Sequence, residues 1–226
     1  MHDIQKILLK RLLSQNSQKY SVLTRGYNYD DNIVFHLKQL LAKNFIKKEG
    51  NLYTITLQGI QTITTYDLTE LEDKGFKTFF LGFLCKYEGK YLIKEHLQGT
   101  INFYNLPSGK PWFGEQIESA LSRTFKGNTQ FALDPKYFSF RSLHVKTVKT
   151  SSGEILFDDA FAIYDVAVNK TQYDHIKLKK GIHWMTVEKI KHLPNRWPEI
   201  DFCILKNDTL SYQSYTVTSN YILGGV

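Results

Sequence analysis

Apolar residues recur at helical spacing in two segments of the first third of the chain, and both segments predict amphipathic helices. The first helix is expected to begin at Asp3, whose carboxylate can cap it. The other is expected to start at a cap on Asp30 or Asp31 and to end near Asn44. A short helix over residues 20–24 is expected between them. The two apolar stripes consist of Ile4, Ile7, Leu8, Leu12 and Leu13 in the first helix and of Ile33, Leu37, Leu40 and Leu41 in the other.

Strand-like sequence follows the second amphipathic helix. Two short segments flank Glu49-Gly50-Asn51 and predict a tight hairpin. A final helix is expected over about residues 57–66. The order of three helices, a two-stranded wing and a last helix resembles the winged helix-turn-helix of bacterial and archaeal regulators. This resemblance covers residues 2–66 and implies a DNA-binding domain, which we place at residues 1–66.

Basic residues are concentrated in the same segment. The 226-residue chain has a formal net charge of +7, and residues 1–66 hold nine Lys/Arg against four Asp/Glu. A compact basic module favours double-stranded DNA as a partner, and a merely soluble basic domain or a protein-binding winged helix are the alternatives. Helices read base edges while flanking cations contact phosphates. The candidate base readers are Asn32 and Gln39, and the candidate phosphate contacts are Arg25, Lys38, Lys43, Lys47 and Lys48.

The rest of the chain has an α+β pattern. An acidic segment, residues 67–75, is expected to be a linker, and a domain over residues 76–210 and a tail over residues 211–226 follow it. Strand character recurs at residues 76–85, 91–94, 138–148, 155–157 and 161–168, whereas helical spacing is found over residues 115–125 and 187–193. This order of strands and helices predicts a mixed sheet covered by helices.

One motif in this domain carries a family resemblance. Gly109, Glu115 and Arg123 have the spacing G-x5-E-x7-R, which resembles the start of the Nudix box of nucleoside-diphosphate-X hydrolases. Thr124, Gly127 and Asn128 stand where that box has glutamates. The resemblance covers about residues 76–206 and implies a Nudix-like α/β/α sandwich with a mixed sheet. A remnant of the ligand-binding loop would consist of Gly109, Lys110, Trp112, Glu115, Glu118 and Arg123.

The missing carboxylates bear directly on chemistry. In the family these glutamates hold Mg²⁺, a hard cation that takes carboxylate oxygens, water and substrate phosphate. Gly127 and Asn128 are typical of a helix end, so the helix is expected to stop early. Glu115 and Glu118 could share a helix face and form a weak ion site, or they could simply be solvated. The pair Asp158-Asp159 has the same two interpretations.

Together these observations predict a DNA-binding transcriptional regulator whose catalytically inactive Nudix-like domain senses a nucleotide-type ligand. Nudix-related regulators of NAD metabolism resemble this pairing, although they usually carry the two domains in the reverse order. The alternatives are a Mg²⁺-dependent Nudix hydrolase with a relocated metal site and a protein-interaction scaffold. No cofactor is expected, with Mg²⁺ needed only by the hydrolase. A palindromic operator would require a homodimer.

Several classes of protein are disfavoured by the sequence. Cys85 and Cys203 are far apart and form no CxxC motif, which argues against a zinc or redox site. The amino-terminal residues lack the apolar core of a signal peptide. The longest apolar run, residues 79–85, is too short to span a bilayer. We therefore expect a cytoplasmic protein with no membrane partner.

Overall fold

The chain forms two compact units, Met1–Phe76 and Lys77–Val226, in a computed structural model. The structure describes residues 1–67, 71, 77–98 and 101–219. Most of the expected linker, residues 67–75, therefore lies outside the described residues. No helix among the described residues is long and apolar enough to cross a membrane.

The described residues of the first unit form four helices and a small antiparallel sheet in the strand order β1-β3-β2. A short 3-10 turn over Tyr29–Asp31 precedes its third helix. The elements are α1 (Asp3–Ser14), β1 (Ser17–Lys19), α2 (Tyr20–Leu23), α3 (Ile33–Ala42), β2 (Ile46–Glu49), β3 (Leu52–Ile55) and α4 (Leu57–Ile63).

Both helix caps expected in this unit are wrong by one or two residues. The N-cap of α1 is His2, whose Nδ1 accepts a hydrogen bond of 3.2 Å from the amide of Ile4. The N-cap of α3 is Asn32, which lies in the left-handed region at φ 48°. Asp31 is unavailable as that cap because its carboxylate accepts a hydrogen bond of 2.5 Å from the amide of Asn28 and closes the preceding turn.

The apolar stripes form the core of the first unit. Leu8, Leu12, Leu37 and Leu40 are buried as expected, whereas Ile4, Ile7, Leu13 and Leu41 are only half-buried. Leu9 is fully buried although it lies outside the predicted stripe. The buried face of α1 is therefore rotated, by about one residue towards Leu9, from the face that the apolar periodicity indicates.

The second unit is built on an eight-stranded mixed sheet. The strand order is β10-β5-β4-β9-β8-β11, with β6 paired to β5 and β7 paired to β4. The pairs β4–β9 and β8–β11 are parallel. The strands are β4 (Thr78–Tyr87), β5 (Lys90–Gln98), β6 (Ile101–Asn105), β7 (Ser108–Gly109), β8 (Phe138–Lys149), β9 (Ile155–Ala167), β10 (Ile182–Thr186) and β11 (Tyr212–Thr218).

Helices cover both faces of this sheet. They are α5 (Ile117–Thr129), α6 (Lys170–His175), α7 (Val187–Lys191) and α8 (Pro198–Ile200), and α8 is followed by a π-helical turn at Asp201–Leu205. Leu81 and Phe83 of β4 belong to the same buried cluster as Phe125 of α5. Leu84, on the opposite face of β4, shares a cluster with Ile190 and Ile200.

Three expectations for this unit change. The two strands expected over residues 155–157 and 161–168 form one continuous strand, β9, which ends at Ala167. Residues 212–218, which we assigned to a tail, form β11 at the edge of the sheet. The expected early end of the helix at residues 127–128 is wrong, because α5 continues to Thr129 and ends at a left-handed Gln130. Its last turn is held by the fully buried Thr129, whose hydroxyl donates to the carbonyl of Phe125.

The central strands part at one end of the sheet. Strands β4 and β5 pair only at Lys86↔Tyr91 and Tyr87↔Lys90. Towards the start of β4, its free edge pairs instead with β7, at Leu81↔Gly109 and Gly82↔Ser108. Beyond Tyr91, the edge of β5 opposite β10 separates from β4 and pairs with β6, from Lys94↔Asn105 to Gln98↔Ile101. A cleft therefore opens between β4 and the β5–β6 hairpin.

Candidate ligand cleft and basic surface

The Nudix-like loop, residues 109–115, is braced by one arginine. Arg123 of α5 donates from Nε to Glu115 Oε1 at 2.7 Å and from Nη2 to Glu115 Oε2 at 2.6 Å. Its Nη2 also donates to the carbonyl of Lys110 at 2.9 Å. The Trp112 amide donates to Glu115 Oε2 at 2.9 Å, and the guanidinium lies 3.8 Å from the centroid of the Trp112 ring. These contacts fix the loop against α5.

The Glu115 carboxylate is therefore fully engaged within the protein. Hydrogen bonding to Arg123 lowers its pKa to about 2. Glu115 lies before Gln116, the N-cap of α5, whereas Glu118 is exposed in the first turn of the helix. The prediction that these two glutamates share a helix face is wrong, since only Glu118 is helical.

The residues at the other box positions do not fit Mg²⁺. Thr124 is 5% exposed. A Cβ added to Gly109 would lie 2.5 Å from Cγ2 of Thr124, so the side chain of Thr124 is packed beneath the loop. Gly127 carries no side chain, and the side-chain amide of Asn128 donates from Nδ2 to the carbonyl of Thr124. Within the described residues, no three His, Cys, Asp or Glu side chains are grouped closely enough to hold a metal ion. Hydroxyl and amide groups cannot replace the carboxylate oxygens that this ion prefers.

We expect Arg123→Ala to raise the pKa of Glu115 from about 2 towards the ordinary value of 4.5. Because the folded pKa is depressed, the stabilising contribution is present above pH 4.5 and is lost as the pH falls through about 2. An NMR titration of the Glu115 carboxyl measures its pKa in the wild type and in the variant, and the pH dependence of the stabilising contribution follows from these pKa values. Lys126→Ala, a substitution at an exposed position of the same helix, is the control and should leave the pKa of Glu115 unchanged. An unchanged pKa in Arg123→Ala would contradict the proposed bracing.

The cleft between β4 and the β5–β6 hairpin contains a cavity of about 270 Å³. Aromatic rings, two lysines and several polar side chains line it. The lining residues are Thr78, Phe80, His96, Asn105, Ser108, Lys110, Lys146, Phe157, Asp159, Phe161 and Trp197. We call this space the cleft cavity. Of the sequence-predicted ligand residues, only Lys110 lines it.

A row of polar residues crosses the floor of the cleft cavity. Thr78 on β4 and Lys146 on β8 both pair in register with Asp159 on β9, so the three lie on neighbouring strands. Lys146 is 7% exposed, and its Nζ lies 2.5 Å from Oε1 of Glu199, which is 1% exposed. The same Nζ lies 4.6 Å from the centroid of the Trp197 ring. The cation is thus held between a carboxylate and an aromatic face.

The acidic pair Asp158-Asp159 is divided between two environments. Asp158 forms an ion pair with Lys77 and accepts a hydrogen bond of 2.8 Å from the hydroxyl of Thr147. Asp159 faces the cleft cavity, where burial raises its pKa. Alternation along β9 causes this division, because successive side chains of a strand point to opposite faces. Only Asp159 is a candidate for ligand contact.

Sequence reasoning missed Lys146, Glu199 and Trp197. Lys146 had a detectable pattern, because Ser142, His144, Lys146 and Val148 alternate as the buried positions of β8. A lysine at an inward position of a strand is unusual and indicates a partner inside the protein. The partner itself, 53 residues away, could not be found from local pattern.

The first unit carries the candidate DNA contacts. Lys38, Lys43, Lys47, Lys48 and Arg25 are all exposed, as is Asn32 at the start of α3. Gln39 is half-buried on the side of that helix. Lys47 forms an exposed ion pair of 2.7 Å with Glu49, and the Nζ of Lys48 lies 5.4 Å from the centroid of the Tyr53 ring. We call the exposed lysines of α3, β2 and residue 43 the basic surface.

No protein-family model and no curated protein sequence matches the chain. Among solved structures, a mutator MutT protein from Bacillus halodurans is similar at 13% identity and a TM-score of 0.49, over 64% of this chain and 92% of that one. The Nudix domain of Shewanella oneidensis NrtR, complexed with ADP ribose, is similar at 11% identity and a TM-score of 0.42, over 63% and 92% of the two chains. A crystal structure of Shewanella oneidensis NrtR is similar at 13% identity and a TM-score of 0.44, over 55% and 59%.

Proposed function

We propose that this chain is a DNA-binding transcriptional regulator. In this proposal the first unit is a winged helix-turn-helix, and the second is a Nudix-like domain that binds a nucleotide-type ligand without hydrolysing it. The observation that carries the proposal is the basic surface, whose four lysines, on and beside α3 and on its hairpin, are all exposed.

The arrangement of the first unit supports DNA binding. Helix α3 buries Ile33, Leu37 and Leu40 and leaves Phe35, Lys38 and Ala42 on its exposed side. A helix with an exposed polar and cationic face fits the major groove, where an apolar ring such as Phe35 can contact a thymine methyl group. Asn32, at the first turn of α3, has the position from which recognition helices usually contact base edges.

The hairpin that follows α3 supports the same interpretation. Strands β2 and β3 pair in register across the turn at Gly50 and Asn51, and Lys47 and Lys48 lie on the strand that leads into this turn. Cations on a protruding hairpin can contact phosphates beside the groove that the helix enters. The wing and the helix would then contribute positioning and base recognition, respectively.

The braced loop supports ligand binding without the usual metal chemistry. Arg123 and Glu115 keep the loop in place, while the positions that need carboxylates hold Thr124, Gly127 and Asn128. The cleft cavity beside the loop offers a site for a small ligand. Metal-dependent hydrolysis of ADP-ribose by the wild-type chain would contradict this half of the proposal.

Affinity of the full chain for duplex DNA should fall steeply with salt. If four lysines each contact a phosphate, affinity should fall roughly 10²-fold between about 50 and 200 mM salt, since counterions are released on binding. Lys47→Ala and Lys48→Ala should each reduce the slope of log affinity against log salt by about 1. Fluorescence anisotropy over a salt series measures this slope.

The matched control is Lys206→Ala, which removes an exposed lysine from the second unit. It should bind DNA as the wild type does, because it lies outside the basic surface. DNA affinity that does not depend on salt, or slopes unchanged in both wing variants, would rule out the proposed phosphate contacts.

A further inference from the structure

We propose that the cleft cavity binds a flat ring that carries N–H donors and is joined to one anionic group, as in a nucleoside monophosphate, without a metal ion. This inference rests on the ligand-binding half of the proposed function and narrows its ligand class. Three features of the cavity carry it: its aromatic lining, its buried acceptor atoms and its balance of charge.

The aromatic lining selects a flat group. Phe80, Phe157, Phe161 and Trp197 all line the cavity, and Phe80 and Phe161 lie 6.0 Å apart between ring centroids. The Trp197 ring is already covered by Lys146 and stacked on Phe103. Stacking on a heteroaromatic ring therefore falls to the phenylalanine rings. The volume of about 270 Å³ lies just below the range of about 300–1,000 Å³ that is usual for ligand sites, which favours a compact ligand over a dinucleotide.

Buried acceptors in and below the cavity call for donors from the ligand. Asn105 Oδ1 and Glu199 Oε2 are buried and have no hydrogen-bond partner within the described part of the chain. Asp159 also faces the cavity, and burial raises the pKa of this carboxyl because the ionised form loses water. An acceptor left without a donor costs free energy, which a ring N–H or amino group would recover. Asn105 and Asp159 are the lining residues that such a donor would meet.

The charge balance limits the ligand to one anionic group. Lys146 is already paired with Glu199, and the carboxylate of Asp159 opposes further negative charge. Lys110 is exposed at the cavity, with its Nζ 5.1 Å from the centroid of the Phe80 ring, and it forms no ion pair with the described residues. This cation can neutralise one carboxylate, or offset part of the charge of one phosphate monoester, which is roughly −1.5 to −2 at pH 7. A polyphosphate would need additional cations, which the family takes from metal ions.

The test is calorimetric titration of the full chain in EDTA with AMP, GMP, CMP and UMP. Each monophosphate is compared with its nucleoside, with its triphosphate and with inorganic phosphate, and ADP-ribose is titrated in the same buffer. At least one monophosphate should bind more tightly than its nucleoside and no more weakly than its triphosphate, and phosphate alone should bind far more weakly. Lys110→Ala should weaken the monophosphate about tenfold and leave the nucleoside unchanged, because only the charge-assisted contact is lost.

Asp159→Asn should weaken the nucleoside, since the ring donors contact this carboxylate. It should weaken the monophosphate less, because the substitution also removes a negative charge that opposes the phosphate. Lys126→Ala is the control and should bind as the wild type does. Thermal unfolding checks that each variant is folded. Binding of triphosphates or ADP-ribose without binding of the monophosphates would overturn this inference. Monophosphate binding that Lys110→Ala does not weaken would also overturn it. In both cases the proposed nucleotide-binding function of the second unit would stand. If no nucleotide binds while salt-dependent DNA binding persists, this inference and the ligand half of the proposed function both fail, and the DNA-binding half stands.

Discussion

Replacing Glu199 by alanine should destabilise the second unit by about 3–5 kcal/mol, because it leaves an uncompensated cation in the interior. Lys146 is 7% exposed and its Nζ lies 2.5 Å from the Glu199 carboxylate. A buried ammonium that loses its partner keeps its desolvation cost and loses the attraction that offset it. The nearby Trp197 ring and the carboxylate of Asp159, which pairs in register with Lys146, compensate only part of that loss.

The chain offers a selective measurement of this effect. All three tryptophans, at residues 112, 184 and 197, lie in the second unit. Denaturant unfolding followed by tryptophan fluorescence therefore reports this unit even if the two units unfold separately. The variant should lower the denaturant midpoint without a large change in the slope.

The double variant Lys146→Met with Glu199→Leu is the matched control. Apolar residues of similar size remove both charges together, and such replacements of buried ion pairs are often neutral or stabilising. Most of the stability lost in Glu199→Ala should therefore return. A loss below about 1 kcal/mol in Glu199→Ala would mean that the pair behaves like an exposed one.

Replacing Gly59 by alanine should destabilise the first unit by about 1–3 kcal/mol, because the added methyl group overpacks its site. A Cβ at this position would lie 2.0 Å from the carbonyl oxygen of Phe45 and 2.9 Å from Cγ1 of Ile55. Gly59 is buried in the first turn of α4, where its amide donates to the hydroxyl of Thr56. The backbone oxygen cannot move without disturbing the hydrogen bond that the amide of Thr56 donates to it. Hydrogen exchange of the α4 amides measures the loss.

Gly127→Ala is the control, and its expected effect on stability has the opposite sign. Gly127 is also helical, but it is exposed and has no atom within 4 Å of an added Cβ. There the substitution should stabilise the second unit by about 0.5–1 kcal/mol, because alanine favours the helical backbone. If Gly59→Ala stabilised its unit as well, the close approach of α4 to residue 45 would be wrong.

The sequence predicted best where structure depends on local pattern. The apolar spacing of α3 and the turn at Gly50 and Asn51 located a helix and a hairpin within a few residues. Strand β1 was missed because three residues with one buried side chain give no periodic pattern. Helix α5 runs through Gly127 because packing of Phe125 and Thr129 outweighs the low helical propensity of glycine.

The cleft cavity could not be predicted in the same way. Its polar floor brings together residues of β4, β8 and β9 through strand register, and Glu199 reaches it from a short helix much later in the chain. The polar pair Asp158-Asp159 interrupts an apolar run and made one strand look like two. In the fold Asp158 is paired with Lys77 and Thr147, whereas Asp159 lies on the other face of β9, towards the cleft cavity, and the strand continues through both.

Strand β11 has a consequence for any shortened form of the protein. It consists of seven uncharged residues that pair with β8 from Leu143 to Lys149. A chain cut at residue 210 would leave that length of β8 as an open edge, with its amide and carbonyl groups free to pair with another molecule. The presence or absence of β11 would then decide whether the protein stays in solution or aggregates. This property does not depend on either proposed binding site.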